Sequence, residues 1–142
     1  MKVSVLLGDD EKDFVESLAE RLQIRDFNVT TALSGDEALK LVEENDFDVI
    51  VLDVQMPGKS GVETLKEIKN FEQLSQVIML TGHATVKTAI EGMKSGAYDY
   101  LMKPTDTDEL IEMINKAYQL VVEQKDRIRQ AEINNILKKR GW

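Results

Sequence analysis

The chain has 142 residues, 42% hydrophobic and 31% charged, and no cysteine. That is the size and composition of one globular domain with enough apolar residues for a core. The lack of cysteine excludes disulfides, zinc–thiolate sites and cysteine nucleophiles, and fits a reducing cytoplasm. The net charge of −8 is uneven: residues 1–122 hold 12 Lys+Arg against 23 Asp+Glu, and residues 123–142 hold 6 against 3, so an acidic body at −11 carries a basic tail at +3. Such a body is a poor match for a phosphate backbone, so direct nucleic-acid binding is not expected. The short run KKR (Lys138–Arg140) reads as a solvated helix end. No apolar run approaches the roughly 20 residues of a membrane span, and the opening MKVSVLL is too short for a signal-peptide core.

In chain order, VSVLL (Val3–Leu7) reads as a first strand, and Phe14, Val15, Leu18, Ala19 and Leu22 as the apolar face of a first helix. FNVTTA (Phe27–Ala32) is a second strand. Ser34, with Glu37 three residues on, is a capping-box start for a helix striped by Ala38, Leu39 and Val42. DVIVLD (Asp48–Asp53) is a third strand, followed by a turn at Pro57–Gly58 and a helix stepping through Val62, Leu65 and Ile68. QVIMLT (Gln76–Thr81) is a fourth; both runs are continuous rather than alternating, as in strands buried on two faces. Val86, Ala89, Ile90, Met93 and Ala97 form the next helix face, with Gly96 where the helix stops. YDYLMK (Tyr98–Lys103) is the fifth strand. The six methionines read as core filler, and Trp142 has no partner that sequence names.

From Asp106 to about Lys138 a last helix runs without Gly or Pro. Leu110, Ile114, Ala117, Val121, Gln124, Ile128 and Ala131 fall near heptad spacing. Its first half must pack on the sheet. Its second half projects, and the seam suggests a dimer through residues 110–131. Gln124 interrupts that seam, and an exposed, partly frayed helix is the alternative. Five βα repeats make an α/β fold: a parallel sheet with helices on both faces and right-handed crossovers.

In an open α/β sheet, ligands bind at the carboxyl ends of the strands. There stand Asp9, Asp10 and Glu11 after the first strand, Asp53 after the third, Thr81-Gly82-His83 at the fourth and Lys103-Pro104 at the fifth. Clustered carboxylates repel one another, and Mg²⁺ with its preference for oxygen ligands offsets that. A nearby lysine offsets more charge, and a hydroxyl can donate to a phosphoryl oxygen. Together these groups describe phosphoryl transfer onto an aspartate.

The chain resembles the receiver domain of two-component response regulators over roughly residues 2–120. The resemblance rests on LLGDDE, VIVLDVQMPGKSG, VIMLTGHA and GAYDYLMKP, in order and at the family's spacing. It implies a flavodoxin-like (βα)5 three-layer sandwich with strand order 2-1-3-4-5, a receiver over 1–120; the extended fifth helix read above adds a helical, coiled-coil-like extension over 121–142. It implies Asp53 as phosphoacceptor and Mg²⁺ held by Asp9, Asp10, Asp53 and the carbonyl of Gln55. Thr81 would be the hydroxyl that meets the phosphoryl group, Lys103 the charge-neutralising lysine before a cis Pro104, and Tyr100 the switch aromatic. Gly8 replaces a usual apolar residue and is expected to loosen the strand end. Gln55 and His83 stand at variable positions beside the acceptor, and Thr105 stands where many relatives carry an aromatic. Asp9 or Asp10 is also expected to cap the first helix.

The implied function is a phosphorylation-switched signalling receiver with a sensor histidine kinase as partner. It catalyses only its own phosphorylation and dephosphorylation. A homodimer would use the face of the fourth and fifth helices or the C-terminal helix, and neither membrane nor nucleic acid is a direct partner. A phosphatase of the haloacid-dehalogenase type needs a second aspartate where Gln55 stands. A flavodoxin-type flavin module needs a hydroxyl- and glycine-rich loop where GDDEKD would repel phosphate. A stand-alone dimerisation module with a degenerate site is the remaining alternative. TGHATVKTAIEGMKSGAYDYLMKP is most similar to receivers of enhancer-binding transcription activators, but no GxxxxGK[ST] motif follows it. The chain is therefore read as stand-alone or excised, with the KKRGW ending favouring the former.

Overall fold

The structure is a computed structural model that describes residues 2–82 and 86–141. Among the described residues ten elements alternate: β1 (Ser4–Gly8), α1 (Lys12–Ile24), β2 (Asn28–Ala32), α2 (Gly35–Glu44), β3 (Val49–Leu52), α3 (Gly61–Phe71), β4 (Gln76–Thr81), α4 (Val86–Lys94), β5 (Asp99–Met102) and α5 (Thr107–Lys139). All strand pairs are parallel, in the order β2-β1-β3-β4-β5. This is the flavodoxin-like arrangement that the resemblance implies.

The two-residue period of a strand sorts the core into two layers. Leu6, Ile50, Leu52, Val77 and Met79 point to one side, where Ala38, Val42, Leu65 and Ile68 from α2 and α3 meet them. Val5, Leu7, Val49, Val51, Ile78 and Leu80 point to the other, against Val15, Leu18 and Leu22 of α1 and Leu110, Ile114 and Ala117 of α5. With both faces covered, β3 and β4 are buried along their whole length, which is why they read as unbroken apolar runs.

Gly8 does not loosen β1. It is paired to Ala32 on one side and Leu52 on the other, and its carbonyl accepts the Asp53 N–H at 2.8 Å. A Cβ there would stand 2.7 Å from Leu52 Cδ2. Leu52 fills the space the missing side chain leaves, so the strand end is tightly packed.

Helix ends follow local chemistry. Ser34 Oγ accepts the Glu37 N–H at 3.1 Å, while Glu37 reaches back to the Leu33 N–H rather than that of Ser34. Ser60 caps α3 in the same way, accepting from Glu63 N at 3.2 Å; the spacing Ser60-x-x-Glu63 signals it in sequence. At the end of α4, Gly96 takes φ +105, with Gly96 N–H on Met93 O and Ala97 N–H on Gly92 O, the bond pair of a Schellman stop.

Three expectations are corrected. The apolar stripe of α4 does not face the core: Val86 is 78% exposed, Ile90 50% and Met93 43%, and the buried residue of the helix is Gly92, close to Met79. The sheet ends at β5, where Tyr100 and Met102 are exposed too, so α4 lies at an edge rather than over the sheet centre. The methionines accordingly divide: Met56 and Met79 are core, Met93 and Met102 are surface. The heptad seam is also divided. Leu110, Ile114, Ala117 and Val121 are buried in the domain's own core, so they are not available to a second copy. Past Val121 none of the described residues is buried. The helix of 33 residues runs about 50 Å at 1.5 Å per residue, and its last turns expose Ile133 and Ile136. Among the described residues no helix is long and apolar enough to cross a membrane.

Candidate functional site

The site lies at the carboxyl ends of β1, β3, β4 and β5. Asp9 follows β1 directly and is 4% exposed. Its N–H bonds Ala32 O, and its Oδ1 accepts the Glu11 N–H at 2.9 Å. This bond turns the chain toward α1 but does not cap it. The N-cap residue is Glu11, with no side-chain cap bond, so in place of the expected cap by Asp9 or Asp10 there is a turn from Asp9 that closes on Glu11. Asp53 follows β3 and is 6% exposed, its Oδ1 accepting the Gln55 N–H at 3.2 Å. The loop after it returns at once, because Gly61 N–H bonds Val54 O at 2.8 Å. A Cβ on Gly61 would fall 2.0 Å from Asp53 O, so only glycine lets α3 start this close to the strand end.

Carboxylate oxygens of Asp9, Asp10 and Asp53 lie within 4.8 Å of one another, with Asp10 exposed and the other two buried. Lys103, whose N–H bonds Thr81 O at 2.8 Å, sends its ammonium into this group. Lys103 Nζ is 2.5 Å from Asp9 Oδ2, 3.5 Å from Glu11 Oε1 and 3.6 Å from Asp53 Oδ2. The Lys103–Pro104 bond is cis. Thr81 is fully buried at the end of β4. Gln55 is exposed on the rim. Tyr100 is 37% exposed on β5, beside Met79, outside the charged cluster. Thr105 is half-buried, its hydroxyl 3.5 Å from Glu109 Oε2. His83 lies outside the described residues, as does Trp142.

Phe14 is the contact that sequence reasoning missed. It reads as a member of the α1 stripe, yet its ring carries Lys103 Nζ at 4.1 Å from the centroid. The usable signal was position: Phe14 is in the first turn of a helix that starts at the rim.

Burial pushes the Asp9 carboxyl above its ordinary value, and the Asp53 charge adds to this; Lys103 and the Glu11 N–H pull the other way without cancelling it. Burial by itself would lower Lys103, but its hydrogen bond to Asp9 and the charges of Asp9, Asp53 and Glu11 outweigh that, and its pKa is raised. Clustered oxygen ligands, two of the three buried, with a charge surplus suit a hard divalent cation.

An acid held above its unfolded value binds its proton more tightly in the folded chain. Its ionisation therefore destabilises the fold at neutral pH, and the penalty disappears as pH falls through the raised pKa toward 3.8. Without divalent cation, Asp9→Asn should melt higher than wild type at neutral pH, and the gap should narrow on acidification. Melting curves in chelator across that range check this; a variant that melts lower throughout contradicts it.

A doubly wound parallel sheet with three carboxylates and a lysine at one rim defines an α/β domain built around an acidic, cation-suited site. A family model described as "Response regulator receiver domain" matches residues 5–115, and the chain belongs to that family. It is 40% identical over 116 residues to the transcriptional regulatory protein ZraR of Salmonella typhimurium, covering 82% of this chain and 26% of that one. It is 35% identical over 122 residues to the regulatory protein AtoC of Escherichia coli, covering 86% and 26%. The chain thus spans about a quarter of the length of these curated relatives. Among solved structures, the receiver domain of the Francisella response regulator 1452 superposes with a TM-score of 0.77 at 36% identity, covering 83% of this chain and 98% of that one.

Proposed function

We propose that this receiver takes a phosphoryl group from a sensor histidine kinase onto Asp53, with Mg²⁺ held by Asp9, Asp10, Asp53 and the Gln55 carbonyl. The observation that carries the reading is the convergence on Asp53 of two further carboxylates and the Lys103 ammonium, 3.6 Å away. A carboxylate oxygen of Asp53 attacks phosphorus, the bond from phosphorus to the donor histidine nitrogen breaks, and that nitrogen keeps the electron pair. Lys103 offsets charge on the equatorial oxygens. When bound, the cation supplies further charge neutralisation and orients the phosphoryl oxygens. The aspartyl phosphate carries nearly two units of negative charge. Thr81 then turns toward it, and Tyr100 follows from its half-exposed place on β5.

The surface that reads this change is α4, β5 and α5, where Val86, Ile90, Met93, Tyr100 and Met102 are exposed. A homodimer uses that face or the part of α5 beyond Val121, and residues 121–142 act as the helical extension of a receiver over 1–120. The named transcriptional relatives support regulation of transcription as the output, in a cytoplasmic setting. Acetyl phosphate with Mg²⁺ should add one phosphoryl group by intact mass and add none in chelator. Uptake that is equal in chelator contradicts the proposed site.

A further inference from the structure

Lys103 Nζ is held from four sides. Three partners are carboxylates with unequal claims: Asp9 at 2.5 Å, exposed Glu11 at 3.5 Å and Asp53 at 3.6 Å. The fourth is the face of Phe14, 4.1 Å from ring centroid to nitrogen. The Lys103 side chain is only 14% exposed, so the ring acts on a largely desolvated charge, where a cation over an aromatic face is attracted most. Phe14 is itself anchored, half-buried against the α1–α5 side of the core. With Leu7, Val15, Leu18, Val51 and Leu80 it lines an apolar recess that opens beside Asp9 and Asp53.

Electrostatics alone would leave the ammonium on Asp9 and draw it toward the exposed Glu11, away from Asp53. We propose that Phe14 is a positioning residue for Lys103, its ring holding the ammonium inward within reach of Asp53. The proposal rests on Asp53 as phosphoacceptor. It assigns no step of the transfer to the ring.

The test is a double-mutant cycle in the full chain, read two ways. Urea unfolding in chelator compares wild type, Phe14→Leu, Lys103→Met and the double variant. Leucine keeps an apolar group there and removes the aromatic face. Phe14→Leu should lower the folding equilibrium constant by about two- to thirtyfold more when Lys103 is present than when it is Met, the range of one cation–π contact from exposed to desolvated. Acetyl phosphate labelling should slow by a similar factor in Phe14→Leu, and Phe14→Tyr, which keeps the ring face, should restore both readouts. Additive stability effects, or a tyrosine variant no better than leucine, overturn the proposal. If wild type takes up no phosphoryl group while the unfolding cycle still couples Phe14 to Lys103, the ring–ammonium contact stands. In that case the phosphoacceptor reading has failed, and with it the ring's role in transfer.

Discussion

Asp53→Asn is expected to abolish phosphoryl uptake from acetyl phosphate and to leave the fold intact. An amide presents no anionic oxygen to phosphorus, so the effect is loss of the reaction rather than a slower one. The fold survives because the position keeps its size and an acceptor oxygen for the Gln55 N–H, which Oδ1 now takes at 3.2 Å. Lys103→Met is the graded companion. It removes one preorganised charge next to the reacting oxygen and should slow labelling by about a hundredfold, the scale of losing one electrostatic stabiliser. Intact mass over a time course measures both. Asp53→Asn labelled at the wild-type rate would place the acceptor elsewhere.

Ile114→Ala costs about 2–5 kcal/mol of folding stability, the usual range for emptying a fully buried isoleucine site. Ile136→Ala, on the same helix but 55% exposed, costs no more than about 0.5 kcal/mol in the monomer. Urea denaturation at low protein concentration measures each. The contrast locates where α5 stops serving the core: Val121 is the last buried side chain, and the helix continues past it in solvent. If Ile136→Ala destabilises the monomer as much as Ile114→Ala, the distal helix is folded onto the body. If its effect grows with protein concentration, the exposed turns pair with a second copy. That pairing uses residues past Val121, not the seam from Leu110.

The strands and their order of burial were readable because β3 and β4 are covered on both faces, and two-sided burial leaves an unmistakable apolar run. The rim was readable because a parallel sheet brings every strand's carboxyl end to one edge, so Asp9, Asp53 and Lys103 meet whatever lies between them in sequence. Side-chain destination was less legible. Periodicity reports that an apolar stripe exists but not what lies opposite it. The stripe of α4 is real, yet the sheet ends beneath it and Val86, Ile90 and Met93 face solvent. The α5 seam is real, yet its first four members are occupied by the domain itself. Gly8 read as a loosening because sequence shows a missing side chain and not the Leu52 methyl group that fills its place. Phe14 was hard to see as a site residue for the same reason: its place in the first turn of α1 puts it near the rim, but its contact with Lys103 joins positions 14 and 103, and no local pattern encodes that.

The central expectation is that Asp53 carries the phosphoryl group. The most direct measurement is to label the wild-type chain with acetyl phosphate and Mg²⁺, trap the acyl phosphate by borohydride reduction, and map the altered residue by peptide mass spectrometry. The expected result is one modified residue, Asp53, with Asp9 and Asp10 unchanged. Modification at Asp9 or at Asp10, with Asp53 untouched, would contradict it.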